Sequence, residues 1–140
     1  MQSYENHSRL DPAFHFFAAP VAVITFVLTI SNLIRQFTIE NVWHVVVAAA
    51  FLVAVFLIRI YALKVQDRVI RLEETLRMQR VLTEPLRSRI GELTVGQFVG
   101  LRFAPDAELP ALVTQTLGNS WTKKDITKAI QTWRPDNFRV

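Results

Sequence analysis

Three histidines and a few acids are the residues best equipped for chemistry: His7, His15 and His44, with Glu5 and Asp11 beside the first two. Such a set could ligate a metal, and a lone imidazole among aromatics in a membrane could ligate a haem or chlorophyll-type pigment. His7 and His15 would share a face if one helix carried both. Asp11 followed by Pro12, however, reads as an N-cap and first-turn proline, so a helix should start between them. His7 then falls on an arm, with Tyr4, Glu5, Asn6 and Arg9, whereas His15 lies inside the helix that follows. No metal-ligand spacing remains, and the cofactor candidates reduce to His15 and His44 taken singly. The leading expectation is no cofactor, and a pigment or haem contact is the alternative.

Other chemistry is poorly supplied. The chain has no Cys, which removes disulfides, thiolate zinc sites and thiol catalysis. No nucleophile and base pairing, phosphate-binding glycine loop or acid pair stands out, so the protein is not expected to be an enzyme.

The elements around these residues divide sharply by polarity. Residues 1 to 58 carry two Lys/Arg and three Asp/Glu, residues 59 to 90 carry eight and four, and residues 91 to 140 carry six and five. Phe14 to Ile34 has no charged side chain; Val42 to Ile58 has none either, and reaches Leu63 if Arg59 is interfacial. Each run approaches the ~20 residues that cross a bilayer core. The mixed charge before the first run, and the lack of a small-residue cleavage motif before the second, argue against a secretory signal.

The connection from Arg35 to Asn41 is short, so the two runs should form an antiparallel transmembrane hairpin. Arg59, Lys64, Arg68, Arg71, Arg77 and Arg80 follow the second run, against Arg35 alone in the link. The positive-inside rule places both termini in the cytoplasm. Trp43 at the outer end and Tyr61 at the inner end suit headgroup depth, and Phe14, Phe16 and Phe17 fall at the inner end of the first run. Mid-span acids and bases are absent, and Ala50 with Ala54 has the small-xxx-small spacing of close helix packing.

Beyond Tyr61 the sequence lacks Gly and Pro until Pro85, which predicts that the second helix continues as a stalk, about 40 residues or ~60 Å in all. Val65, Val69, Leu72 and Leu76 form an apolar stripe on it, to be covered by the chain's own tail or used as a partner-binding or self-dimerising seam. Asp67 with Arg71 and Glu73 with Arg77 are spaced for i,i+4 ion pairs. The basic residues Lys64, Arg68 and Arg71 could touch anionic lipid, or receive the polar arm of Tyr4, Glu5, Asn6, His7 and Arg9 as a clasp.

After Pro85 short helices are expected near 94–103, 107–117 and 123–133. Thr122 with Asp125 forms a capping signal, Ile126, Ala129, Ile130 and Trp133 make one helical face, and Pro135 stops the run. With Leu109, Leu112, Val113, Leu117, Leu93, Phe98, Leu101, Phe103 and Trp121 they could close a small core, too small to stand alone without the stalk, the membrane surface or a partner. The fold class is thus an all-α membrane protein: arm 1–11, transmembrane hairpin 12–63, stalk 64–84 and small helical cytoplasmic domain 85–140.

Four stretches, YENHSRLDPAFHFFAAP, YALKVQDRVIRLEETLR, ELTVGQFVGLRFAPDAELPALV and ITKAIQTWRPDNFRV, resemble a family of small uncharacterised bacterial membrane proteins with two predicted spans, a domain-of-unknown-function family. The resemblance covers nearly the whole chain. It implies a protein of the bacterial cytoplasmic (inner) membrane with this layout, and it brings no activity or catalytic residues.

The function expected from these features is a non-enzymatic accessory subunit of an inner-membrane assembly, contacting lipid and other integral subunits or its own copies. The alternatives are a small subunit of a photosynthetic or respiratory complex, with His15 or His44 at a pigment or haem, and a membrane-tethered nucleic-acid binder. Nucleic acid is the less expected partner, because Lys123, Lys124 and Lys128 are nearly balanced by acids.

Overall fold

A computed structural model describes residues 11–136, and every regular element among them is a helix. The described residues form two compact units that meet in sequence between Leu63 and Lys64.

The first unit holds the two apolar segments. Asp11 opens it as expected: its Oδ1 accepts from the backbone N–H of Ala13 at 3.0 Å and of Phe14 at 3.3 Å. A π-helical turn, Phe14–Ala18, runs directly into α1, Ala19–Arg35. Pro20 explains the wider turn, because it has no N–H to give Phe16 and its ring crowds that carbonyl. The Ala19 N–H bonds instead to the Phe14 carbonyl, five residues back.

Only Gln36, Phe37 and Thr38 separate α1 from α2, Ile39–Val81, a link shorter than the expected 35–41. Thr38 starts α2, its Oγ1 accepting from Asn41 N–H at 3.2 Å, while Asn41 Nδ2 donates to the Gln36 carbonyl at 2.7 Å. These side chains fix the first turn of α2 at residues 39–41, which the expected link had included and which hydropathy alone could not assign to the helix.

Phe14–Arg35 and Ile39–Val81 are both long and apolar enough to cross a membrane. Their apolar surface is largely open: Ile34, Ile39 and Trp43 are exposed, as is Phe37 in the link, and Ala22 and Ala48 are buried. Ala50 and Ala54, expected at a close approach, are exposed, and Ala48 takes the buried position instead.

The second unit begins within α2. A 3-10 turn at Arg87–Glu92 leads to α3, Val95–Leu101, α4, Leu109–Asn119, and α5, Lys123–Ala129. The last three match the expected helices with shifted ends. Thr94 and Gln97 form a reciprocal capping box on α3, and Thr122 and Asp125 form the expected one on α5. Ser120 ends α4 in the left-handed region at φ 52°.

The expected core assembles, with Phe98, Leu101, Phe103, Leu109, Val113 and Ile126 fully or almost fully buried. Met78 and Leu82 complete it, so the small domain rests on the last turns of α2. α5 stops at Ala129, earlier than expected, because Ile130 turns extended at ψ 124°. Trp133 still reaches the core, its ring 5.1 Å from that of Phe103. What carries it there is an extended strap. Glu108 accepts from the Gln131 and Thr132 N–H groups at 3.0 and 2.9 Å, and the Arg134 N–H bonds the Phe103 carbonyl at 2.8 Å.

Candidate functional site

Two features of the second unit carry most of its polar and interactive character: a buried ionic knot and an uncovered apolar face. Both arise from the way α2 divides its surface.

At 3.6 residues per turn, Ile70, Glu74, Arg77, Met78 and Val81 share one side of α2. Ile70, Glu74, Arg77 and Met78 are buried there, and Val81 packs partly on the core. Arg77 is the hub. Its guanidinium reaches Glu74 Oε2 at 2.9 Å, Asp106 Oδ1 at 2.7 Å and the Ala104 carbonyl at 2.6 Å. Arg134 from the strap adds a contact to Glu74 Oε1 at 3.3 Å. Nearby, Arg102 pairs with Asp136 at 3.1 Å and lies 4.5 Å from the centre of the Phe103 ring. The RLEETLR, RFAPD and TWRPD segments thus meet at one place. A cleft of about 490 Å³ beside the knot is lined by Arg77, Arg80, Val81, Pro105, Asp106 and Arg134.

The expected Glu73 to Arg77 pair does not form. Arg77 turns toward the tail, where Glu74 and Asp106 offer charge-assisted bonds away from water. Sequence spacing offered Glu73 at i,i+4 and Glu74 at i,i+3 alike, and could not reveal Asp106, which comes from a loop 29 residues further on. That knot is the main feature the sequence reading missed, and the recurring Arg-x-x-Pro-Asp and Arg-Pro-Asp segments were its available signal.

The opposite side of α2 carries the predicted stripe. Val65, Val69, Leu72 and Leu76 are 60%, 46%, 61% and 49% exposed, so none of the described tail residues covers them. Arg68 and Glu73 flank the stripe and are exposed, as is Lys64. Arg71 stands 5.9 Å from the Phe98 ring centre. Of the proposed clasp, Tyr4, Glu5, Asn6, His7 and Arg9 lie outside the described residues.

His15 and His44 are both in the first unit. His15 Nδ1 lies 2.9 Å from the Asp11 carbonyl, which can only accept, so Nδ1–H is the donor in this contact. Phe14 packs edge-on against it at 5.1 Å and also meets Phe56 at 5.8 Å. Arg59 approaches the Phe14 ring at 5.7 Å and Asp11 at 3.8 Å. His44 is exposed on the first turns of α2. Among the described residues no group of three or more His, Asp or Glu is arranged to hold a metal ion.

No curated protein and no solved structure matches the chain. A family model described as a family of unknown function (DUF6526) matches residues 1–140. With that match over its whole length, the chain belongs to this family of unknown function.

Proposed function

We propose that the protein is a non-enzymatic accessory subunit of a bacterial inner-membrane assembly. Phe14–Arg35 and the apolar part of α2 form an antiparallel transmembrane hairpin with both termini in the cytoplasm. The rest of α2 projects as a stalk that carries the small helical domain and binds protein partners.

The observation that carries this reading is the two-sided use of α2 after Lys64. One side is buried against the protein's own core, and the other offers four exposed apolar residues at helical spacing. A solvated helix that ended its task by supporting the domain would have little reason to keep that second side apolar, because exposed contiguous apolar surface marks interaction sites. The hairpin is supported by the three-residue link, the Phe14 contact with Phe56 and the approach of Asp11 to Arg59. The run of Arg and Lys after the second span supports the orientation.

Gentle solubilisation of the full chain, followed by identification of everything that accompanies it, tests the function. A stable complex with integral membrane proteins or with further copies is expected. A lone monomer without companions at any salt concentration overturns the proposal. Orientation is tested separately with single cysteines introduced into this cysteine-free chain. Thr38→Cys should react with an impermeant maleimide from outside intact cells, and Ser120→Cys only after lysis.

A further inference from the structure

We propose that the uncovered face of α2 pairs with the same face of a second copy, forming a short parallel two-stranded coiled coil. The inference rests on the interaction role proposed above and names the partner.

The register follows from the spacing. Val65, Val69, Leu72 and Leu76 are separated by four, three and four residues, which in heptad terms is d, a, d, a. Ile70 and Arg77 then occupy b, Met78 occupies c, and Glu74 and Val81 occupy f. Those are the outward positions of a two-stranded coil, and they are the residues that hold the chain's own domain. The domain therefore sits where it cannot obstruct a partner helix, and the seam is left open. Val69 at a with Leu72 at d is the combination that favours two parallel strands.

Charge supplies the second argument and fixes the orientation. Arg68 falls at g and Glu73 at e of the following heptad, both exposed, with neither ion-paired among the described residues. In a parallel dimer a g residue faces the e residue of the partner's next heptad. Each Arg68 then meets the other copy's Glu73, giving two symmetric pairs around the Val69 and Leu72 layers. An antiparallel pair would set g against g and e against e, so the acid and the base would not meet. Two hairpins inserted the same way into one membrane have their α2 helices parallel, which is the arrangement the charges require.

The test uses the full chain in its membrane. Because the chain has no Cys, Leu72→Cys introduces a unique thiol. Mild oxidation should link it into a dimer, whereas Arg71→Cys, at an outward c position, should remain unlinked. Arg68→Glu or Glu73→Arg alone should weaken dimerisation in mild detergent about fivefold, with two exposed ion pairs lost. The exchanged double variant should restore it, a result that misfolding cannot imitate. Cross-linking of Leu72→Cys no faster than Arg71→Cys, or a double variant as weak as the singles, overturns the dimer. A dimeric mass without the Leu72→Cys link also overturns it, since the copies would meet elsewhere. A chain monomeric in itself but held by a different membrane protein overturns the dimer and leaves the accessory role standing. A monomer with no companion overturns both.

Discussion

Glu74 and Arg77 stand one turn apart on α2, joined at 2.9 Å with only 7% and 11% of their side chains exposed. A charged pair so poorly hydrated persists because its remaining donors and acceptors are used. Arg77 also serves Asp106 and the Ala104 carbonyl, and Glu74 receives Arg134. The knot therefore ties the end of α2 to the loop after α3 and to the C-terminal strap.

Arg77→Ala should destabilise the small domain by about 3–5 kcal/mol, because it strands Glu74 in a buried setting and leaves the Ala104 carbonyl without its donor. Arg134→Ala should cost under ~1 kcal/mol, since half of that side chain is already in water. Denaturant unfolding of the full chain, followed by Trp121 and Trp133 fluorescence, measures both. Equal losses for the two variants would contradict the assigned hub.

Two glycines of α3 should respond in opposite directions. A Cβ on Gly100 would lie 3.2 Å from Ile126 Cγ2, and Ile126 is wholly buried and has little room to yield. Gly100→Val should cost about 1–3 kcal/mol by overpacking the α3 and α5 contact. At Gly96 nothing lies within 4 Å of a new Cβ. Gly96→Ala should leave stability unchanged or raise it by up to ~1 kcal/mol through helix propensity. Thermal melts of the two variants decide the matter, and a destabilised Gly96→Ala would show the space to be occupied.

The contrast shows where sequence reasoning succeeded. Uncharged runs of spanning length identified both long helices, and apolar periodicity identified the core face of α4, because run length and the burial of one face are both local properties of the chain. Leu93, Phe98, Leu101 and Phe103 were legible for the same reason. The Thr122 to Asp125 box was legible because capping joins residues three apart. Met78 and Leu82 escaped notice as core residues, since which side of α2 the tail would choose depends on contacts far along the chain. The sequence displayed the Val65 to Leu76 stripe, but the tail takes the other side. The knot was hidden similarly: Glu73 and Glu74 are neighbours, and only the loop carrying Asp106 decides which of them Arg77 joins.

Acid should weaken the α5 start in a defined way. The Thr122 hydroxyl donates to Asp125 Oδ2 at 2.6 Å and the Thr122 N–H donates at 2.9 Å, and these bonds hold the Asp125 carboxyl below its ordinary value. A carboxyl lowered by folding contributes stability that is fully present above its unfolded value, near pH 4, and is lost as pH falls through the folded one. The melting difference between the protein and Asp125→Ala should thus be constant near neutrality and shrink in more acidic solution. A difference that grew toward low pH would contradict the assignment.

Asp11 offers the corresponding test at the start of the first apolar helix, where cap and ion pair can be separated. Its Oδ1 accepts from Ala13 and Phe14 N–H groups, while Oδ2 lies 3.8 Å from Arg59, a long contact for an ion pair. Asn caps helices about as well as Asp but carries no charge. If the cap dominates, Asp11→Asn should behave like the parent chain, and Asp11→Ala should lose about 1 kcal/mol of local stability. Amide exchange at residues 13 and 14 should then quicken roughly fivefold in the Ala variant alone. Equal acceleration in both variants would assign the effect to the Arg59 pair instead, and would make that contact, rather than the backbone bonds, what fixes the helix start beside Phe14 and His15.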